Sequence, residues 1–229
     1  MKRLKIFIIC YFPTFISLII ILVLGSGCGS NSMEYCLESG ECDLAVDVVN
    51  VSSEIPIDPN DPFWRDSSHI QSRSIELGPQ MITNPRWPDP STKSVKISGV
   101  QNESELALLL EWNDPTLENK IEVSATHTDQ AALMFPIHQG EEVPSITMGS
   151  ENEIVNIWQW RAIWETPLQE KIRNIDRNLG TTLPANTRRS PVEDLTAAGF
   201  STLTTQEEQD VLGRGTWEDK TWRVVFKRT

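Results

Sequence analysis

Val95-Lys-Ile-Ser-Gly-Val-Gln-Asn-Glu-Ser-Glu-Leu-Ala-Leu-Leu-Leu-Glu-Trp112 is the stretch that decides the fold class. Two short apolar runs, Val95 to Ser98 and Leu106 to Trp112, flank a polar turn from Gly99 to Glu105. That is the pattern of a β-hairpin with Trp112 near one end. Asn113-Asp-Pro-Thr116 then breaks the second strand, because proline removes a ladder donor and fixes its own backbone.

Working outward, the same spacing of short apolar runs and turn residues recurs. It predicts strands at Ile121 to Ser124, Ala131 to Pro136, Ile154 to Trp160, Gly213 to Trp217 and Trp222 to Lys227. Many short strands with irregular connections point to an all-β chain, a β-sandwich with long loops. Gln169 to Leu179 mixes charges and apolar residues and is expected to form one short helix, with Thr181 to Thr204 as loop. Upstream, Ile55-Pro-Ile-Asp-Pro-Asn-Asp-Pro-Phe-Trp64 is punctuated by proline, so it reads as an extended wrap pinned by Trp64. Pro79 to Pro90 reads the same way.

Three parts follow. Residues 1–27 hold Lys2, Arg3 and Lys5, an apolar run from Ile6 to Leu24, and small residues up to Cys28, the features of an export signal. A run of this length is also long enough to remain as a single anchor helix. Leu24-Gly-Ser-Gly-Cys28 resembles a lipobox with its leucine one place upstream, so a lipidated Cys28 is the first expectation and a retained helix the second. Residues 28–54 are small, polar and acidic, a tether with strand character near Leu44 to Val51. Residues 55–229 form the domain.

The formal charge of −12 becomes −15 once the cations Lys2, Arg3 and Lys5 leave, which argues against nucleic acid as a partner. An acidic surface suits either a basic electron carrier or simple solubility. Cys36 and Cys42, in an oxidising compartment, are expected to form a small-loop disulfide. A Cys-x-x-Cys-His motif is absent, as are a Gly-x-Ser-x-Gly elbow, a phosphate loop, a dinucleotide fingerprint and a His-Glu-x-x-His pair. His69, His127 and His138 fall in separate polar segments and read as surface residues.

Eight tryptophans are unusual for this length, and Trp158, Trp160 and Trp164 cluster. Strand alternation puts Trp158 and Trp160 on one face, as a core plug or as the wall of a pocket for a flat ligand. Met134 in Ala131-Ala-Leu-Met-Phe-Pro136 and Met148 in Thr147-Met-Gly149 read as core filler or as thioether ligands.

Asp129-Gln-Ala-Ala-Leu-Met-Phe-Pro136, Met148-Gly149, Val155-Asn-Ile-Trp-Gln-Trp-Arg-Ala162, Gly215-Thr-Trp-Glu-Asp219 and Trp222-Arg-Val-Val-Phe226 occur in a characteristic order. With the Ile55-Pro-Ile-Asp-Pro start, Trp64, Pro79-Gln80 and Leu106 to Thr116, they resemble a known family over about Ile55 to Arg228. This is the haem b-binding gamma subunits of type II dimethyl sulfoxide reductase-family molybdoenzymes, which include ethylbenzene dehydrogenase, chlorate and selenate reductases and nitrite oxidoreductase.

The resemblance implies a β-sandwich holding one non-covalent haem b, with a methionine and a lysine as axial ligands. It implies an electron-transfer role that is not itself catalytic. The partners it implies are a molybdenum-cofactor catalytic subunit, an iron–sulfur subunit and a carrier such as a soluble cytochrome c. Met134 takes the methionine ligand's place, with Met148 in reserve. Trp158 and Trp160 are candidate haem walls. Arg161 stands where the family usually has lysine, and a guanidinium there is suited to a propionate rather than to iron. The ligand lysine is expected on strands beyond Val-Val-Phe-x-Arg. The sequence stops at Thr229, so His138 or Lys220 as a substitute, a five-coordinate or vacant site, and a truncated chain stand as alternatives. Competing readings are a carbohydrate-binding-type sandwich presenting its tryptophans, and a haem-free structural lipoprotein.

Overall fold

A computed structural model describes residues 3–4, 7–12, 16–20, 46–68, 70–79, 81, 86–120, 127–138, 144–145, 147–165 and 190–229. Among the described residues two β-sheets are built from thirteen strands: β1 (Arg3–Leu4), β2 (Phe7–Phe12), β3 (Ile16–Ile20), β4 (Val46–Asn50), β5 (Ser72–Glu76), β6 (Ser94–Gln101), β7 (Leu106–Asn113), β8 (Gln130–Pro136), β9 (Val155–Arg161), β10 (Val192–Ala197), β11 (Thr204–Thr205), β12 (Val211–Glu218) and β13 (Thr221–Arg228). The first sheet runs β1-β4-β6-β7-β13-β12, with β5 also paired to β6; the second runs β11-β10-β9-β8-β2-β3. Every pairing among the described strands is antiparallel except β4 with β6.

The hairpin of β6 and β7 is the one read from the sequence, with longer arms. Gly99, Val100 and Gln101 belong to β6, and the turn is only Asn102 to Glu105. Asn102 closes it, its Oδ1 accepting from the backbone amides of Ser104 and Glu105 at 3.0 and 2.8 Å. Such an Asx turn needs no glycine.

Alternation explains the layers. Leu108, Leu110 and Trp112 of β7 point inward with Val95 and Ile97 of β6 and Trp222, Val224 and Phe226 of β13. Ala131 and Leu133 of β8, Trp158 and Trp160 of β9 and Val192 of β10 face them from the second sheet. Ala107 and Leu109 point the other way, and the wrap covers them with Ile55 and Trp64. Strands buried on both faces read as continuous apolar runs, which is why Leu106 to Leu110 shows no polar alternation.

Trp64 pins the wrap as expected: it is buried in a short 3-10 turn, Pro62–Arg65, and its Nε1 donates to the carbonyl of Pro56 at 3.1 Å. Lys227 ties the same segment from β13, donating to the carbonyl of Ile55 at 3.0 Å and to Glu105 Oε1 at 2.8 Å. Truncation of Trp64 to alanine is expected to cost about 3–5 kcal/mol by urea melts, as for other buried indoles; a change under about 1 kcal/mol would show that the wrap is dispensable.

Several elements differ from the sequence expectation. The sandwich takes in β4, upstream of Ile55, with Val46 and Val48 buried. β5 was unforeseen because Ser72-Arg-Ser-Ile-Glu76 is polar except at Ile75, the residue it buries. β10 lies inside the stretch expected to be loop. Its acidic pair masks the strand pattern, but Glu193 accepts from Thr205 Oγ1 at 2.8 Å and Asp194 from Gln206 Nε2 at 2.7 Å.

The helix expected at Gln169 to Leu179 and the strand at Ile121 to Ser124 lie outside the described residues. So do Cys28, Cys36, Cys42 and His69. Among the described residues no helix is long and apolar enough to cross a membrane.

Candidate functional site: a thioether-bearing sheet face

Register settles which way each candidate points, because paired residues of adjacent strands share a face. Met134 pairs with Ile157, and Ile157 with Leu195. All three therefore lie on the outer face of the second sheet, opposite Trp158 and Trp160. There Ala132, Met134, Val155, Ile157, Leu195 and Ala197 form one apolar cluster, in which Met134 is fully buried.

Met148 packs against that cluster from a tight turn. Its φ of 67° is uncommon outside glycine, and Gly149 follows at 81°. A Cβ on Gly149 would lie 2.2 Å from the carbonyl oxygen of Glu153, so glycine is required there. Hydrogen bonds from Gly149 to Ser145 O (2.9 Å) and from Gly199 to Met148 O (3.0 Å) hold the turn against the end of the second sheet. Strained backbone that presents a chemically distinctive side chain is often associated with function.

Further along β8 and β9 the same face turns polar. Gln159 Nε2 donates to Gln130 Oε1 at 3.1 Å, and Arg161 Nη2 donates to Gln159 Oε1 at 3.1 Å. The Arg161 guanidinium lies over the Trp164 ring at 4.7 Å. The structure thus brings Met134 and Met148 together and puts Arg161 on the same face, four residues from Ile157.

Trp158 and Trp160 are not walls of this face; they are core. Trp160 meets Trp222 edge-on at 4.8 Å and Trp112 at 6.1 Å, and Trp158 lies 4.4 Å from Phe135. Met134 is separated from both indoles by the sheet itself. Their burial also removes the exposed aromatic platform on which the carbohydrate-binding reading depended.

Lys220 sits exposed on the β12–β13 turn, and its carbonyl accepts from Asp114 N at 2.8 Å. That is the end of the sandwich where β8 begins, whereas Met134 is near the other end of β8, so the two do not meet. His138 is exposed just past β8, at the same end as Met134.

The sequence reading missed two buried polar sites. At one end of the sandwich Asn156 accepts from Trp158 Nε1 (2.7 Å) and Arg228 Nη1 (3.2 Å) and donates to Asp194, while Arg228 also pairs with Asp210 at 3.1 Å. Burial pushes the Asp194 carboxyl up to about 6. At the other end Asp129 accepts from Trp222 Nε1 (3.0 Å) and Glu118 N (2.9 Å). Burial, reinforced by the neighbouring Asp114, raises it to about 7. Among the described residues no group of His, Cys, Asp and Glu could hold a metal ion.

Two sheets packed around tryptophans, with a buried thioether in an apolar cluster on the far side of the second sheet, define a β-sandwich. Residues 61–229, well over half the chain, match the protein family described as ethylbenzene dehydrogenase. The chain belongs to that family. It is 24% identical over 184 residues to a protein named as a respiratory nitrate reductase heme subunit from Haloferax mediterranei, covering 77% of this chain and 57% of the relative. It is 28% identical over 112 residues to the chlorate reductase subunit gamma of Ideonella dechloratans, covering 49% of this chain and 42% of the relative. The chain thus spans about half the length of these curated relatives.

Proposed function

We propose that this chain carries one non-covalent haem b on the outer face of its second sheet and passes electrons for a larger molybdenum enzyme without catalysing a reaction itself. The observation that carries this reading is Met134: a buried thioether in an apolar cluster, on the strand where the family resemblance calls for a ligand. The donor chemistry fits, since haem iron accepts a thioether and the macrocycle favours an apolar surface. The relatives' names, a heme subunit and a gamma subunit of two reductases, support an electron-transfer subunit.

When bound, the haem supplies one-electron redox chemistry. The chain's own part is to hold it. Met134 offers a neutral soft donor that tends to raise the reduction potential. Ala132, Val155, Ile157, Leu195 and Ala197 keep water away, and Arg161 stands on the same face for a propionate. Met148 takes the ligand role if Met134 does not.

The reading extends to an exported protein, tethered through a lipidated Cys28, whose maturation would remove β1 to β3, or through a retained N-terminal segment that is strand where the sequence led us to expect an anchor helix, with a disulfide between Cys36 and Cys42. Its partners are a molybdenum-cofactor subunit, an iron–sulfur subunit and a soluble cytochrome c. The acidic charge suits a basic carrier. A Cys28→Ser chain recovered from the soluble rather than the membrane fraction would support the lipid anchor.

The test is to express the full chain with haem available and record oxidised and reduced absorption spectra. A Soret band is expected in the wild type, with the reduced-state bands lost or shifted in Met134→Ala. A colourless wild type would leave the haem-free lipoprotein as the better account. An unchanged Met134→Ala spectrum would move the ligand assignment to Met148.

A further inference from the structure

Among the described residues seven large apolar side chains are exposed, and four of them stand at one end of the second sheet: Ile137, Ile154, Phe200 and Leu203. Ile137 and Ile154 continue the β8–β9 ladder past its last pair, Ile137 N donating to Ile154 O at 3.1 Å. Phe200 and Leu203 belong to the turn that joins β10 to β11. That turn lies against the Met148 turn, where Gly199 N donates to Met148 O at 3.0 Å. Exposed apolar residues scattered singly are ordinary, whereas four at one end make an interaction patch. Phe200 is the most prominent of them, 59% exposed. Its turn is firmly bonded: Thr202 Oγ1 donates to Gly199 O at 2.7 Å and accepts from Ala198 N at 2.8 Å. An aromatic presented from such a preorganised turn loses little freedom on binding.

The same end is acidic. No lysine or arginine occurs from Ile121 to Trp160 or from Ser190 to Gly213, against six acidic residues in the first stretch and five in the second. Glu151 stands exposed between Met148 and Ile154, and Glu207 and Glu208 stand exposed just past β11. Arg228, which reaches this end from β13, is already engaged by Asp210 and Asn156.

We infer that this end is the docking face for a basic protein, one whose contact surface is apolar at its centre and carries lysine or arginine at its rim. Complementary potentials around an apolar centre speed encounter and fix register. Taking that protein to be the electron carrier rests on the haem reading. The Met148 turn joins the face to the Met134 cluster, so the carrier would dock beside the proposed ligands. A second copy of this chain would set acid against acid, and an anionic lipid surface meets the same repulsion.

The experiment titrates the full-length chain with a basic cytochrome c as probe and follows binding by calorimetry. Saturable binding is expected at low salt, weakening about tenfold between about 20 and about 200 mM. Succinylating the probe's lysines should abolish it. Phe200→Ser should weaken binding about tenfold, as truncation of an aromatic anchor does. Replacing Glu207 and Glu208 together by lysine should weaken it by a similar factor. Leu203→Ser is the second variant if Phe200→Ser does not fold. Leu117→Ser, which removes an exposed leucine at the other end of the sandwich, should leave affinity unchanged. No binding by wild type at low salt, or equal affinity in wild type, Phe200→Ser and Leu203→Ser, overturns the docking face. Self-association of the chain that Phe200→Ser abolishes would overturn it in favour of a second copy, and adsorption to phosphatidylglycerol vesicles that the same change abolishes, in favour of a membrane. Absorption spectra of the same samples separate the two readings. A colourless chain that binds the probe overturns the haem reading and leaves the face; a haem-loaded chain that does not bind overturns the face and leaves the haem reading.

Discussion

The protein is expected to be more stable at pH 5 than at pH 8, by roughly 4 kcal/mol, which corresponds to a melting temperature about 10 °C higher. Three buried carboxyls set the sign. Burial raises Asp129 and Glu165 to about 7 and Asp194 to about 6. Each binds its proton more tightly in the folded chain than in the unfolded one, where the ordinary value is near 4. Their stabilising contribution is complete below that ordinary value and is lost as pH rises through 6 to 7.

Hydrogen bonds oppose the shift without cancelling it. Asp129 accepts from Trp222 and Glu118, and Glu165 from Trp160 Nε1 at 2.6 Å and from Gly215 N. Glu105 has the opposite sign. Lys227, its hydrogen-bond partner, holds its carboxyl below the usual range, so its contribution fades only under strongly acidic conditions. The optimum should therefore fall near pH 5. Urea or thermal melts across pH 4.5 to 8.5 measure the curve, and Asp129→Asn, which keeps an acceptor for Trp222, should flatten its alkaline limb. Equal stability at the two ends would mean that these carboxyls are hydrated or relieved in solution.

Gly215→Ala is expected to destabilise the fold by about 3 kcal/mol or more. A Cβ at Gly215 would lie 2.4 Å from Trp160 Cζ2 and 2.7 Å from its Cε2. Indole is rigid, and this one cannot retreat: Trp222 and Trp112 abut its ring, and Glu165 grips its N–H. Trp160→Phe in the same chain should return part of the loss, because the smaller ring vacates the space. The coupling between the two substitutions is the diagnostic quantity, since residues in contact do not add. A Gly215→Ala chain melting within a degree or two of wild type would show that β12 shifts to make room.

Strands whose burial and residue type agree were legible in advance. β7, β8, β9 and β13 were each read within a residue or two, because Leu, Val, Ile and Trp recur between turn residues. β5 and β10 were not, since Arg73, Glu193 and Asp194 look like solvent residues until Thr205, Asn156 and Gln206 supply their partners from elsewhere in the chain. The site divides in the same way. That Trp158 and Trp160 share a face follows from period two alone, but that Met134 lies on the opposite face needs the β8–β9 register. Met134 and the Trp158–Trp160 pair thus stand on opposite sides of one sheet. The buried acids at Asp129 and Asp194 carried no local signal, for their character comes from burial between sheets.

The tryptophan core also gives the protein an optical consequence. Trp112, Trp158, Trp160 and Trp222 are shielded from water, so their fluorescence should be blue-shifted and insensitive to aqueous quenchers. Side chains on the two faces of one sheet are separated by little more than the sheet's own thickness, so a strongly absorbing group seated on Met134 would sit well within energy-transfer distance of these indoles. Emission from the native chain then becomes a loading gauge, bright when the outer face is empty and dark when it is filled.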